Sequence, residues 1–448
     1  MTLLRVAEAQ AAILNTTPRQ PTLRLPLADA LGHRLADDVR APWPLPMWTA
    51  ASMDGYAVHS ADVRGACSSA PVALDLAGGG DAGDGEPPRL QSGTAWRVAT
   101  GGRVPANADS VVRQEDTEHG SRDAERELAE GVPRPASRVT ILNDRDAGRN
   151  VRPAGGDIAQ GDVVLRAGTL VTPGVVAMLA ALGEASPLVY RKPRVAILCS
   201  GNEVAPLDQL EQVSSGERIA DVNGPMLSAL VREAGGVPIS LGLAADDPSA
   251  IAAALASAND ADLIVTAGGI SVGQMDHIVS VMERLSARVV FRRVALRPGG
   301  PTTHAVLPDG RPWLALPGNP VSAFVTFHLF AAPAIRQMAG EERTPAPPSE
   351  AAAGANACPA PWNGGGGERR TVTARMREPV ARDQVLDLYL RATLEPANDG
   401  GPPWARPTGN QGSWVLSSIV RADALLIVPA GSGSMSVGEA VRGIVLQA

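Results

Sequence analysis

The chain has 448 residues, of which 44% are hydrophobic and 3% aromatic, and its formal net charge at pH 7 is −7. This length exceeds one compact core, so we expect two to four domains whose interiors depend on Ala, Leu and Val. The acidic balance and the lack of any block of basic residues argue against a nucleic-acid partner, because phosphate neutralisation needs clustered Lys and Arg.

Cysteine and histidine usage gives no sign of a disulfide scaffold or of a histidine metal site. The three cysteines, Cys67, Cys199 and Cys358, form no CxxC pair, and the six histidines lack metal-ligand spacing. The first 20 residues contain no apolar signal core, and no apolar run approaches the length of a membrane span. We therefore expect a cytoplasmic protein without a membrane partner.

The N-terminal half predicts one helix, then β-structure, then a second helix. Residues 6–14 have a helical pattern, whereas residues 74–93 and 116–137 are rich in turn-forming or charged residues, as loops of a β-rich insert would be. Glycines at short intervals in residues 150–170 indicate tight turns between short strands. Residues 175–182 are apolar and Ala-rich, which predicts a helix.

From residue 192 the pattern changes to apolar segments that alternate with helical ones. We predict strands at 195–199, 238–243, 263–267, 289–296 and 313–316, and helices at 226–234, 251–258 and 322–338. Apolar strands that alternate with helices are typical of a parallel sheet covered on both faces. The Pro-, Ala- and Gly-rich residues 341–369 predict a linker, and short alternating segments from residue 371 onward, including 417–428, predict a small β-domain.

Three predicted strands of the α/β region end in loops suited to anion binding. Their sequences are SGNE (200–203), GGISVGQMD (268–276) and PGNPVS (317–322). Ligands of open parallel sheets bind beyond the carboxyl ends of the strands, and exposed backbone N–H groups and helix N-termini attract anions. We expect Ser322 to be the N-cap of the last helix. Any one loop is equally compatible with an ordinary turn, but three together favour a nucleotide or phosphate site without a P-loop or GxGxxG motif.

Carboxylates and arginines accompany these loops. Glu203, Asp246, Asp247 and Asp276 lie near the same predicted edge, and Mg²⁺ prefers one or two carboxylates plus phosphate oxygens. For Asp246 and Asp247, a role at the start of the following helix is the stronger interpretation. A phosphate or oxyanion clamp is one interpretation of Arg292, Arg293 and Arg297, and a charged surface strand is the other.

Two motifs of the N-terminal half, MDGYAV (53–58) and TGGRVPANAD (100–109), complete an ordered set with NVRPAGGDI (150–158), DVN (221–223), the loops above, RPGGP (297–301) and QGS (411–413). From about residue 5 to 446, this set resembles the molybdopterin molybdenumtransferase family, MoeA, which includes the E domain of gephyrin. No single motif identifies this family, but the occurrence of all of them in the family's order does.

The resemblance implies a multidomain fold of α/β plus β class. It would comprise a MogA-like three-layer α/β domain (191–340), N-terminal β-rich subdomains and a small C-terminal β-barrel-like domain (371–448). The N-terminal region would be one discontinuous subdomain (1–45 and 150–190) with an inserted β-rich subdomain (46–149), and residues 341–370 would form the linker.

The resemblance also implies an activity: insertion of molybdenum from molybdate into adenylylated molybdopterin, with Mg²⁺ and release of AMP. It implies a homodimer with a shared active site, and a MogA-type adenylyltransferase is an expected partner. The implied catalytic residues are Asp54, Thr100, Asp157, Glu203, Asp276, Arg293 and Arg297. The implied substrate-binding residues are Gly268, Gly269, Ser271, Gly273, Pro317, Gly318, Asn319, Pro320, Ser322, Arg391 and Ser413. The implied metal ligands are Glu203, Asp246 and Asp276.

The chain departs from the family pattern at three motifs, and two of the changes, Asn202 and Gly300, keep other functions open. Ala50-Ala51-Ser52 replaces Asn-Ser-Ala, Asn202 replaces a carboxylate in Thr-Gly-Asp-Glu, and Gly300 replaces the lysine of Pro-Gly-Lys-Pro. A non-catalytic molybdopterin-binding protein or gephyrin-like scaffold is the main alternative. A MogA-type adenylyltransferase is the second, against which the additional subdomains count.

Overall fold

The computed structural model describes residues 3–118, 138–268, 275–341 and 371–446, with only the backbone of Met275 and Asp276. It divides into two compact units. One is Asp38–Leu165, and the other combines Met1–Asp37 with Arg166–Ala448. In the described part of the chain, no helix is both long enough and apolar enough to cross a membrane.

The unit Asp38–Leu165 is built around a five-stranded sheet. Its strand order is Ser110–Arg113, Gly55–Val58, Thr94–Val98, Val72–Gly80 and Arg138–Ile141. Because successive side chains of a strand point to opposite faces, Tyr56 and Val58 enter one apolar cluster while Ala57 enters another. Two short ribbons, Ala50–Ala51 with Val151–Arg152 and Val39–Arg40 with Val163–Leu165, accompany the sheet. The predicted β-rich character of this region is confirmed.

The second unit contains a six-stranded sheet. Its strand order is Val237–Ala244, Arg194–Ser200, Leu263–Gly268, Pro312–Leu316, Thr303–Val306 and Arg288–Phe291. Alternate residues of Arg194–Ser200 contribute to clusters on both faces, Val195 and Ile197 to one and Ala196 and Leu198 to the other. The prediction of a sheet covered on both faces is therefore confirmed.

The prediction of a parallel sheet is wrong for its last two strand pairings, because Thr303–Val306 runs opposite to the other five strands. Thr303–Val306 and Pro312–Leu316 form an antiparallel hairpin, and Arg288–Phe291 pairs antiparallel with Thr303–Val306. The cause is local, because Asp309 and Gly310 form the tight turn and Gly310 adopts a φ of +88°. An Asp-Gly pair between apolar runs is a strong hairpin signal. The strand predicted at 289–296 is correct for its first part, Arg288–Phe291, and wrong for its end, since Leu296–Arg297 belongs to a different sheet.

All five predicted helices are present in this unit, with bounds that differ by a few residues, and Met275–Arg284 is an additional helix that the sequence pattern did not predict. The predicted helices are Val6–Asn15, Pro173–Ala181, Asn223–Glu233, Pro248–Ala256 and a continuous helical run from Pro320 to Met338 that contains a π-helical stretch, Phe327–Ala331. Val6–Asn15 packs on this last run, and Gln10 Nε2 donates a hydrogen bond to the Leu329 carbonyl at 2.9 Å. The first helix therefore covers the sheet domain although almost 200 residues separate them.

The C-terminal region is a closed β-barrel, as predicted. Its strands follow the order Asp387–Glu395, Trp404–Pro407, Thr371–Met376, Ala440–Val445 and Ala424–Val428, and the last of these pairs with the first. Leu296–Arg297 extends this barrel by pairing in parallel with Asp387 and Leu388. The predicted alternating segment at 417–428 begins instead with a helical turn, Ser417–Val420. Of the predicted linker, all but Glu341 lies outside the described residues.

Candidate active site

A pocket of about 730 Å³ opens at the carboxyl ends of the parallel strands. It is lined by the ends of two strands (Cys199 and Ser200, Ala267 and Gly268), by Glu203 and Val204, and by the loop 317–320 with Ser322. The short strand Ile219–Ala220 with the helix start that follows it (221–223), Pro301, and Trp414 and Leu416 of the barrel complete the lining. The structure thus brings together Glu203, Gly268, Pro317, Gly318, Asn319, Pro320 and Ser322 from the expected site. Gly269, Ser271 and Gly273 lie outside the described residues, as does the side chain of Asp276.

The floor of the pocket depends on a close approach of backbones at Gly268. Its φ is +108°, and a Cβ there would lie 2.0 Å from the carbonyl oxygen of Ser200 on the adjacent strand. A Cβ on Gly318 would in turn lie 3.2 Å from the Gly268 Cα. The ends of three strands can meet here only because two of the residues have no side chain.

Two helices begin at the pocket. Asp221 Oδ1 accepts the Gly224 N–H at 2.9 Å in the first turn of Asn223–Glu233, and Asn223 Nδ2 donates to the Gly318 carbonyl at 2.7 Å. The second helix begins at Pro320, with Asn319 as its N-cap. The expectation that Ser322 caps this helix is therefore wrong, since it lies within the first turn. Both helix N-termini direct their positive dipole ends toward the pocket.

The charges in the pocket wall are acidic. Glu203 and Asp221 line it, and none of the described lining residues is Lys or Arg. Within the part of the chain that the structure describes, no group of three or more His, Cys, Asp or Glu residues is arranged to hold a metal. Burial raises the pKa of the Cys199 thiol to about 12, with a smaller contribution from the Asp221 charge. Cys199 is thus held as a neutral thiol in its strand.

Asn202 and Asp246 are joined by two hydrogen bonds, each from the backbone N–H of one residue to the side-chain oxygen of the other. The Asp246 N–H donates to Asn202 Oδ1 at 3.2 Å, and the Asn202 N–H donates to Asp246 Oδ2 at 3.4 Å. Asp246 is not among the residues that line the pocket. Asp247 caps the helix Pro248–Ala256 by accepting the Ala250 N–H at 2.8 Å. For Asp247, the helix-start interpretation is therefore confirmed.

The arginines of the 292–297 segment lie apart from the pocket lining. Arg293 and Arg297 are exposed. Arg297 forms an ion pair with Asp383 of the barrel, with Nη1 3.5 Å from Oδ2. Arg292 Nη2 is 3.5 Å from Glu283 Oε1. Of the Pro-Gly loop that follows, only Pro301 reaches the lining.

Arg391 is fully buried beneath the barrel loop that reaches the pocket. Its Nε donates to Ser418 Oγ at 3.0 Å and its Nη2 to the Gly412 carbonyl at 3.2 Å. Burial lowers the pKa of its guanidinium to about 10, which still leaves it charged at neutral pH. Ser413 Oγ meets Asn319 Nδ2 at 3.0 Å and so links the barrel loop to the start of the last helix.

Asp54, Thr100 and Asp157 belong to the unit Asp38–Leu165. Asp54 Oδ1 accepts hydrogen bonds from the Thr100 N–H (2.6 Å) and hydroxyl (2.9 Å), and these two bonds lower the pKa of the carboxyl. Asp157 is exposed, and its N–H donates to the Leu45 carbonyl at 3.0 Å. The structure therefore pairs two of these three residues.

The pocket also contains residues that the sequence-based site did not include. Asp221 and Asn223 belong to the DVN motif, and a carboxylate just before a helical pattern is a recognisable signal for a helix start. Asn223 Oδ1 is buried, and none of the described residues forms a hydrogen bond with it. No comparable signal marks Trp414, because its place depends on how the barrel packs on the sheet.

Comparison with known proteins covers nearly the whole chain. Residues 4–183 match the model of the MoeA N-terminal region (domain I and II), 196–337 that of a "probable molybdopterin binding domain", and 373–446 that of the MoeA C-terminal region (domain IV). A molybdopterin molybdenumtransferase from Nostoc sp. is 31% identical over 99% of this chain and 93% of its own. One from Staphylococcus aureus is 29% identical over 97% and 94%.

A solved structure agrees with these matches. The molybdopterin biosynthesis MoeA protein from Pyrococcus horikoshii has a TM-score of 0.72 and 26% identity, covering 99% of this chain and all of its own. The three consecutive matches define a multidomain protein of the MoeA type, with every region present and in order. The chain belongs to the molybdopterin molybdenumtransferase family, which confirms the resemblance.

We predict that Gly268→Ala destabilises the protein by at least about 2 kcal/mol more than Gly310→Ala. Both glycines have positive φ, so both substitutions carry the left-handed backbone penalty of roughly 1–2 kcal/mol. Only Gly268 also approaches a carbonyl, whereas nothing lies within 4 Å of a Cβ at Gly310. Denaturant unfolding of both variants measures the difference, and equal losses would contradict the close approach.

Proposed function

We propose that the chain inserts molybdenum from molybdate into adenylylated molybdopterin and releases AMP, as a transferase of molybdenum cofactor biosynthesis. The observation that carries this proposal is the match of all three regions to molybdopterin molybdenumtransferases. The pocket at the strand ends supports it, because its form suits an anionic nucleotide-like substrate. We expect the enzyme to act in the cytoplasm.

The pocket offers hydrogen-bonding groups for such a substrate. The N-termini of the helices at Asn223 and Pro320 favour phosphate oxygens. Asn223 Oδ1 is available to accept a hydrogen bond from a ligand N–H or O–H. A buried acceptor of this kind selects for a ligand that carries a donor, because leaving it unpaired costs free energy. We assign Gly268, Pro317, Gly318, Asn319, Pro320 and Ser322 to substrate binding on this basis.

The charge of the pocket favours a divalent cation. Glu203 and Asp221 line it without a basic lining residue among those described, so an anionic phosphate would enter against like charge. Mg²⁺ commonly binds through one or two carboxylates, phosphate oxygens and several waters. The two lining carboxylates therefore fit this ion, with Glu203 as the proposed ligand. Asp246, which lies outside the lining, and Asp276 remain proposed ligands from the expected set only. When bound, Mg²⁺ would polarise the phosphoanhydride of the substrate and offset its negative charge.

The chain itself supplies orientation and charge, and no covalent protein nucleophile is needed. The thiolates that receive molybdenum belong to the substrate, and the burial of Cys199 suits a structural role. Arg391 stabilises the loop that holds Ser413 against Asn319. We retain Arg293 and Arg297 as candidate contacts for molybdate or the leaving AMP, because both are exposed and lie in the segment that leads to Pro301, a lining residue.

We further propose a homodimer in which Asp54, Thr100 and Asp157 of one subunit serve the active site of the other. The Asp54–Thr100 pair supports this proposal, because two hydrogen bonds fix a charged carboxylate without a described salt-bridge partner. A particle of twice 46.2 kDa in solution is expected by light scattering, and a monomer would contradict the shared site. We expect a MogA-type adenylyltransferase to supply the adenylylated substrate.

We predict that the purified protein releases AMP from adenylylated molybdopterin when Mg²⁺ and molybdate are present, and that Glu203→Gln slows this release at least about tenfold. The amide keeps the size of the side chain but removes the charge that faces the pocket. Glu211→Gln, in the helix Leu210–Ser214 outside the lining, is the matched control and should retain the parent rate.

A parent protein that binds the substrate but never releases AMP would contradict this activity and favour the scaffold alternative. If AMP release does not require molybdate, the protein hydrolyses the anhydride without transferring metal. An equal rate for Glu203→Gln and the parent would contradict the proposed role of Glu203 but not the proposed reaction.

We predict that Asn202→Asp combined with Gly300→Lys changes the rate of AMP release by less than about threefold. Asn202 already holds Asp246 through its side-chain oxygen, whereas a carboxylate at 202 would place a second negative charge beside Asp246. A Cβ at Gly300 would lie 3.3 Å from the Leu296 carbonyl, which is a tight fit. An inactive parent that the double substitution rescues would show that these two departures had disabled the site.

A further inference from the structure

Trp414 is a large apolar side chain left open at the mouth of the pocket. It is 71% exposed although it lines the cavity, and Leu416 and Ile219, exposed by 38% and 60%, line the same cavity. Single exposed apolar residues are common on protein surfaces. Three of them in one pocket, beside polar loops, indicate that the ligand of this pocket has an apolar surface.

The loop that carries Trp414 is fixed before any ligand arrives. Gln411 exchanges hydrogen bonds with Arg391, accepting its N–H at 2.9 Å and donating to its carbonyl at 3.0 Å. The Arg391 guanidinium holds the Gly412 carbonyl from below, and Ser413 is held by Asn319. A binding surface that is already ordered loses little conformational entropy when a ligand is bound.

The indole ring is itself located by Gly412. A Cβ at residue 412 would lie 2.9 Å from Cη2 of the indole, so the ring occupies space that any other residue type would contest. The indole ring therefore packs against Gly412 on a loop that is anchored at Gln411, Gly412 and Ser413. Most of its aromatic surface remains open to the cavity.

We infer that Trp414 is a stacking platform for a planar, fused nitrogen heterocycle of the substrate, and that it contributes to substrate selection. This inference rests on the proposed function, because adenylylated molybdopterin carries an adenine, which is planar throughout, and a reduced pterin, whose pyrimidine ring is planar. Offset stacking of aromatic rings is favourable beyond the area it buries, and an indole accepts either ring because both present a π-face. A cavity of about 730 Å³ has room for one ring together with its phosphates.

The test measures equilibrium binding to the full-length protein of three probes: AMP, ribose 5-phosphate and 6-hydroxymethylpterin. We expect Trp414→Leu to weaken binding of AMP or of the pterin at least about fivefold, while Trp414→Phe stays within about twofold of the parent. Ribose 5-phosphate, which lacks a ring, should bind parent and variants alike. The ring-bearing probe that responds identifies which of the two rings stacks on Trp414.

Indole fluorescence separates stacking from a structural effect. The responsive probe should quench emission of the parent, and Trp414→Phe should lose that quenching although it still binds. Val420→Ala is the matched control, because Val420 is 75% exposed in the same segment but does not line the pocket. It should leave both affinity and quenching unchanged, and unfolding midpoints will show whether any variant is merely destabilised.

Unchanged affinity of Trp414→Leu for both ring-bearing probes would overturn the inference, even if the parent releases AMP as proposed. A change in subunit association instead of affinity would also overturn it and would make Trp414 an interface residue. If the parent has no transferase activity yet binds a ring through Trp414, the proposed function fails and the platform stands. A parent that binds neither ring overturns the platform.

Discussion

At Gly268 the backbone of one parallel strand comes so close to its neighbour that a Cβ would overlap the Ser200 carbonyl oxygen, and Gly318 closes on the same point from the next strand. This convergence brings three loops from distant parts of the chain to one place. It also leaves backbone groups, rather than side chains, at the floor of the cavity, where they can contact phosphate oxygens directly. The geometry of the pocket thus follows from the absence of two side chains.

Positive charge is present around the pocket but is kept out of its described lining. Arg391 is buried under the barrel loop, and Arg297 is paired with Asp383. The lining itself offers Glu203 and Asp221. Under the proposed function, these two carboxylates disfavour an anionic substrate alone and favour it with a cation, which would couple the binding of the two by electrostatics. Away from the lining, Arg391 donates hydrogen bonds to the Ser418 hydroxyl and the Gly412 carbonyl, and so anchors the loop that carries Ser413 and Trp414.

The strand Arg194–Ser200 could be predicted from sequence because its residues 195–199 are all apolar, as expected for a strand that is buried on both faces. The hairpin at Asp309–Gly310 carries an Asp-Gly turn signal in its sequence, so this antiparallel connection could have been predicted. The division of residues 289–296 between two sheets was not readable, since pairing partners more than 90 residues away decide it. Motif order indicated much of the pocket, whereas Trp414 and the anchoring role of Arg391 depend on tertiary packing that no local pattern records.

The two-residue strand Leu296–Arg297 lies within the sequence of the α/β domain but hydrogen-bonds to the first long strand of the barrel. The barrel as folded therefore includes two residues that lie outside the continuous C-terminal stretch of sequence that forms its other strands. A gene fragment beginning near residue 371 would encode all five strands of the closed barrel yet leave Asp387 and Leu388 as an open edge. Exchange of this barrel between proteins by recombination would therefore have to include the Pro-Gly loop region or supply a substitute for its strand, which ties the inheritance of the barrel to that of the pocket.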